Sequence, residues 1–278
     1  SCDSVVWNGT TYDSSGTYSS NTGSNNNYSM SFNGYLGNGS DYVLISNLPT
    51  NTNIRTYEFH LYAEPHSPNI NEQGSIFHSP HYGLNTNWGE IINFDGDNDF
   101  NIRVGFDANP GSYCYWDGNG EYLYNMWHHV VVEYHSSGLI KLFVNGVLNM
   151  LGSGVQNCTN TYPFWDDIKL GEFNGYLSHF SVFDTVLSQI QIQNYMTCPP
   201  TGNESGLVGY WNFEEGSGNT ALDQTSNGNN GTINGATYDS NVPSQSCALT
   251  NANGCDSIAI LNLTINQADT SYTNITAC

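Results

Sequence analysis

Apolar residues along this chain come in short runs with a repeat of two, and clusters of Gly, Asn, Asp and Ser separate them. Tyr42-Val-Leu-Ile45, Trp127-His-His-Val-Val-Val-Glu-Tyr134, Leu139-Ile-Lys-Leu-Phe-Val144 and Ile258-Ala-Ile-Leu-Asn-Leu-Thr-Ile265 are alternating or β-branched, the pattern of half-buried strands. Val144-Asn-Gly-Val147 predicts a hairpin, because Asn-Gly tolerates the positive φ angles of a two-residue turn. One amphipathic stretch, Ser188 to Met196, predicts a turn or two of helix before Pro199 and Pro200 stop it. Many short strands at this spacing predict an all-β sandwich or jelly roll.

Charge narrows the function. Lys and Arg number 4 against 25 Asp and Glu, a formal net charge of −21. Nucleic acid is excluded as a partner, since neutralising phosphates takes clustered cations. Insertion into or binding to an anionic membrane is disfavoured as well, and no apolar run reaches the roughly 20 residues of a spanning helix. Seven cysteines in such a chain imply an oxidising, extracellular or cell-surface setting, and the odd count leaves one thiol without an intramolecular partner. Ser1 reads as a processed or trimmed start.

Several segments carry a resemblance. Asn33-Gly-Tyr-Leu-Gly-Asn-Gly-Ser-Asp41, Trp127-His-His-Val, Leu142-Phe-Val-Asn145-Gly-Val and Phe173-Asn-Gly-Tyr176-Leu-Ser-His-Phe-Ser-Val-Phe-Asp184 resemble the laminin-G-like group of concanavalin-A-like jelly rolls. Gly206-Leu-Val-Gly-Tyr-Trp211 and Asn230-Gly-Thr-Ile-Asn-Gly-Ala236 look like the opening strands of another copy. Near the ends, Cys2-Asp-Ser-Val-Val-Trp7 and Gly254-Cys255-Asp-Ser-Ile repeat one another. They resemble a short Ig-like repeat found in tandem in very large secreted bacterial surface proteins.

The implied organisation is a split Ig-like module from residues 1–20 with 248–267, a laminin-G-like jelly roll at 28–197 and an accessory β segment at 198–247. Residues 268–278 would form a strand belonging to, or donated to, the next unit. Whether the accessory segment packs on the jelly roll is left open. The resemblance to the Ig-like repeat implies a Cys2–Cys255 disulfide, with Cys278 bonding between units; a Cys255–Cys278 bridge that strands Cys2 is the alternative. Cys114 with Cys158 would tie two loops, and Cys198 with Cys247 would close the accessory segment, each adding a few kcal/mol.

Candidate chemistry centres on calcium. Asp95-Gly-Asp97-Asn-Asp99 offers hard oxygens at alternate positions, although Phe100 and Phe106 stand where an EF-hand needs Gly and Glu. Asp117, Asn119 and Glu121 form a second oxygen-rich loop, and Asp41 lies where some laminin-G-like relatives bind calcium. The competing reading of all these residues is solvated turns held by Asx hydrogen bonds. Tyr113, Tyr115, Trp116, Tyr122 and Tyr124 are the aromatic candidates for stacking on sugar rings, whereas Trp7, Trp127 and Trp211 lie in apolar contexts and read as core.

The eight histidines, His60, His66, His78, His81 and the His128-His129 pair among them, read as surface or core residues rather than zinc ligands. His128 and His129, adjacent on a strand, face opposite sides. Paired carboxylates in the glucanase spacing are missing: Glu58, Glu90, Glu133 and Glu172 stand singly, and Gly-x-Ser-x-Gly is absent. An enzyme is not expected. The expected function is an extracellular structural and adhesive module, a repeating unit of a bacterial surface fibre or giant adhesin whose copies join head to tail by strand sharing. A calcium-dependent, lectin-like module for polysaccharide or glycoprotein is the alternative.

Overall fold

The computed structural model describes residues 26–33, 41–65, 117–118, 122–150, 166–171 and 173–245 in full. It also gives the backbone of the further strands named below and the side chains of Ile76, Phe77, Ile102 and Val104. In chain order the first strands are β1 (Val5–Trp7), β2 (Thr10–Tyr12), β3 (Gly16–Ser20), β4 (Ser29–Phe32), β5 (Tyr42–Ile45), β6 (Ile54–Ala63) and β7 (Ser75–Pro80). Then come β8 (Trp88–Asp95), β9 (Asn101–Asn109), β10 (Ser112–Asp117), β11 (Trp127–His135), β12 (Ile140–Val144), β13 (Val147–Gly152), β14 (Ile168–Gly171) and β15 (Gly175–Phe183). Helix α1 (Gln189–Tyr195) precedes β16 (Leu207–Trp211), β17 (Thr220–Ala221), β18 (Gly231–Asn234), β19 (Thr237–Asp239), β20 (Leu249–Thr250), β21 (Asp256–Ser257) and β22 (Ala259–Leu263).

The chain divides into two compact units, Ser24–Gln245 and a smaller one made of Ser1–Gly23 with Ser246–Cys278. In the smaller unit β1 pairs with β2, β20 with β21, and β22 with β3, so residues Ala259–Leu263 lie antiparallel to Gly16–Ser20.

The larger unit is a two-sheet sandwich. One sheet runs β10-β9-β8-β7-β14-β5-β18-β17, the other β13-β12-β11-β6-β15-β4-β19 with β16 added beside β15. Alternation sends Tyr57, Phe59 and Leu61 of β6, Val130 and Val132 of β11, and Phe180 and Val182 of β15 into one core. From the opposite sheet they meet Val43, Ile45, Phe77, Val104, Ile168 and Leu170. The Asn-Gly turn forms as the pattern predicts: Asn145 and Gly146 have φ of 50° and 76° and join Val144 directly to Val147.

Residues 207–239, whose attachment the sequence left open, are integral to both sheets. β16 and β19 pair with β15 and β4 of one sheet, and β18 pairs with β5 of the other. Trp211 is fully buried, donates Nε1–H to the Asn229 carbonyl at 2.9 Å, and lies against Gly209, where a Cβ would come within 2.2 Å of the ring. Helix α1 begins with a capping box in which Ser188 and Gln191 satisfy each other's backbone amides. Its Ile192 and Tyr195 join Leu187, Val131, Phe143, Phe183, Leu207 and Tyr210 in a second cluster, so the outer face of the β6 sheet is covered there.

Trp211→Ala should cost about 3–5 kcal/mol, the usual range for emptying a buried tryptophan site. The shift in urea midpoint at constant m checks it. A variant as stable as the parent would mean that residues 207–239 are dispensable to the sandwich.

Candidate functional site

The outer face of the β6 sheet carries the side chains with chemistry. Pairing places Trp127 of β11 opposite Tyr62 of β6, which is opposite Tyr176 of β15. The ring centroids are 5.4 Å apart for Tyr62–Trp127 and 5.5 Å for Tyr62–Tyr176, and all three rings are half-buried. Trp127 donates Nε1–H to Asn241 Oδ1 at 3.3 Å. Burial and the neighbouring carboxylates of Glu64 and Asp239 push the Tyr176 phenol up.

Two residues further along β6, His60 is opposite His129, and beyond that Glu58 is opposite both Val131 and Ser181. His179 reaches this face through a bulge. Leu177 pairs with Leu61 but Phe180 pairs with Phe59, so three steps along β15 match two along β6. That extra residue lets Leu177 and Phe180 both enter the core while His179 turns outward.

Glu58, fully buried, accepts from His179 Nε2 at 2.8 Å, from His129 Nε2 at 3.0 Å, and from the Ser181 hydroxyl. Burial alone would raise its pKa. The positive potential of His179 and the hydrogen bonds from His129 and His179 outweigh burial and hold the carboxyl well below the usual range. His60 lies with its ring 4.9 Å from His129 and 5.0 Å from His179, and its Nε2 is 3.1 Å from the Met196 carbonyl just after α1. Burial, and then the nearness of His179 and His129, keep its pKa well below normal against the pull of Glu58 and the Met196 carbonyl.

The residues anticipated from sequence fall elsewhere. Asp97, Asp99, Asn119, Glu121, Cys2, Cys158, Cys247, Cys255 and Cys278 lie outside the described residues, as do the side chains of Asp95, Tyr113, Cys114, Tyr115 and Trp116. Asp117 is exposed at the end of β10. Asp41 is half-buried, and its Oδ2 accepts from the Asn33 amide at 3.2 Å. Tyr122 and Tyr124 are half-buried and pack against the core, with Tyr122 edge-on to His128. Trp127, expected in the core, instead stands half-buried on the outer face. Cys198 is disulfide-bonded.

Sequence reasoning missed the Glu58 cluster. The Glu58-x-His60 spacing puts both on one face of a strand. No comparable signal marked His179, because the bulge hides its orientation.

Residues 36–193 match the profile of the laminin-G-type family described as the concanavalin A-like lectin/glucanases superfamily. The chain belongs to this family. No match is found among curated proteins. The same laminin-G-type sandwich occurs in a Bacteroides ovatus ATCC 8483 protein provisionally assigned to carbohydrate binding: 17% identity and a TM-score of 0.55 over 78% of this chain and 61% of that one. It occurs also in the heptameric SAP-like pentraxin of Limulus polyphemus, at 16% identity and a TM-score of 0.55 over 81% of this chain and 98% of that one. At these identities the likeness is one of fold.

The buried His60 gives the laminin-G-type sandwich an acid-sensitive point. Unfolded, His60 takes up a proton near its ordinary value of 6.5, while in the folded chain it resists, so stability falls as pH drops below that value. The depressed Glu58 acts in the same direction but only lower, below its ordinary 4.5. In metal-free protein, the urea midpoint should decline between about pH 7 and about pH 5, and His60→Gln should flatten that slope. Equal slopes in the two proteins would contradict the assignment.

Proposed function

We propose that this chain is an extracellular binding module that recognises carbohydrate, as polysaccharide or on a glycoprotein, and acts without catalysis. The observation that carries the reading is the row Trp127–Tyr62–Tyr176, three half-buried rings in register across three strands. The rings are inclined to one another by 59° and 77°, so a sugar would stack on one ring at a time, and Glu64, Asp239 and Asn241 beside the row offer hydrogen-bonding groups. Family membership and the carbohydrate assignment of the Bacteroides ovatus protein support the ligand class. The disulfide at Cys198 and the scarcity of basic residues support an oxidising, outside location. Among the described residues, no helix is long and apolar enough to cross a membrane. Calcium held by Asp41 with the acidic residues of the 95–99 and 117–121 segments would make recognition calcium-dependent.

A second element of the proposal is the carrier. The pairing of β22 with β3 brings segments from the two ends of the sequence together in one small unit. That supports a module carrying the sandwich as an insertion, and the setting we propose for it is a surface fibre or giant adhesin whose units join head to tail. Disulfide mapping of assembled material should then find Cys278 bonded to a cysteine of another unit. A Cys255–Cys278 bridge within one chain would sink strand sharing.

Glycan arrays probed with the parent, Tyr62→Ala and Trp127→Ala, in calcium and in chelator, test the binding reading. Each ring should be worth about 0.5–1.5 kcal/mol, a loss of roughly two- to tenfold in affinity. Folded protein that ignores every glycan, or binds equally well without both rings, would overturn it.

A further inference from the structure

Beneath α1 a carboxylate and three imidazoles converge in a place sealed from water, and the carbohydrate reading uses none of them. Ligand atoms of Glu58, His60 and His179 lie within 4.8 Å of one another, and His129 Nε2 is 3.0 Å from Glu58 Oε1. None of the four is more than 4% exposed. Buried polar atoms are ordinarily hydrogen-bonded. Yet Nδ1 of His60 and Nδ1 of His129 have no hydrogen-bond partner among the described residues. The His60 case is specific: donation from Nε2–H to the Met196 carbonyl fixes the tautomer and leaves a lone pair on Nδ1. Metal-bound histidines are held this way, one nitrogen on the ion and the other donating to a carbonyl.

We propose that Glu58, His60 and His179 bind one transition-metal dication of the zinc class and so tie the end of α1 to the sheet. Two imidazoles and one carboxylate make a donor set that suits zinc, whereas calcium takes oxygens alone. The His179 Nε2···Glu58 Oε1 separation of 2.8 Å is near the edge of a zinc tetrahedron, about 3.3 Å for bonds of about 2.0–2.1 Å, and with all three ligand atoms within 4.8 Å the ion would draw the His60 ring inward. On binding, the Nε2 proton that His179 presents to Glu58 leaves to solvent, while His129 keeps its hydrogen bond to the carboxylate. A water completes the sphere, and burial of all three protein ligands closes the site to substrate, which makes it structural. The ion reaches it as the chain folds, because α1 and the segment through Met196 cover it afterwards.

The full chain, its disulfides kept intact, is unfolded in guanidinium with EDTA and refolded with zinc sulfate, with cobalt(II), or with EDTA alone. We expect about one zinc retained per chain after dialysis, a melting temperature that rises with free zinc, and visible d–d bands of tetrahedral cobalt(II). His60→Gln and His179→Gln should lose the retained metal and the zinc-dependent shift while keeping a native near-ultraviolet spectrum in EDTA. If these variants fail to fold, the parent decides: weak octahedral cobalt bands overturn the proposal and tetrahedral ones support it. Folded parent that keeps no metal, or a His60→Gln/His179→Gln protein that keeps as much as the parent, overturns it.

Discussion

A sheet covered on both faces can keep a carboxylate in its centre only if the partners are buried with it. Glu58 sits in that position, with the core beneath β6 and the α1 segment above. Removing water from a lone carboxylate costs several kcal/mol, so His129, His179 and Ser181 converge on it from the strands to either side. Breaking one partner leaves the charge exposed to a low-dielectric interior, which ties β11, β6 and β15 together more specifically than apolar packing does. The seat of α1 depends on the same arrangement, because His60 hands the helix's following carbonyl its hydrogen bond.

The remaining ionic chemistry is sparing. Lys141 pairs with Glu133 directly across β11 and β12 at 2.7 Å, Lys169 lies 4.2 Å over the Tyr42 ring, and Arg55 is buried against the Tyr57 hydroxyl and the Pro49 carbonyl. Three of the 4 basic side chains are thus committed within the sandwich. Few cations are left to offset the carboxylates, which total 25 in the chain, so the molecule meets its surroundings as a polyanion.

Much of the fold was readable because period-two patterning and turn chemistry act locally. Tyr42–Ile45, the Asn145-Gly146 turn and the capped helix at Gln189–Tyr195 appear where the pattern puts them. The outer face of the β6 sheet was not readable, for two physical reasons. A sheet buried on both sides loses alternation: Thr56, Glu58 and His60 are as buried as the core residues between them. A bulge then reverses the facing of one residue, His179, without leaving a mark in composition. Trp127 misled in the other direction, since an apolar strand context does not say which face a tryptophan takes.

The ends of the sandwich are stitched side by side. Asn26 donates to the Pro243 carbonyl at 2.7 Å, Ser29 donates to the Asn241 carbonyl at 2.6 Å, and β4 and β19 lie antiparallel with Ser29 opposite Asp239. The chain therefore enters and leaves at one point. Removing or inserting the whole domain would change the contour of the flanking chain very little. Tension drawn through those two ends would peel β19 from β4 one hydrogen bond at a time, the mechanically weak direction for a β ladder. A domain joined this way resists pulling only as well as the segments beside it grip each other.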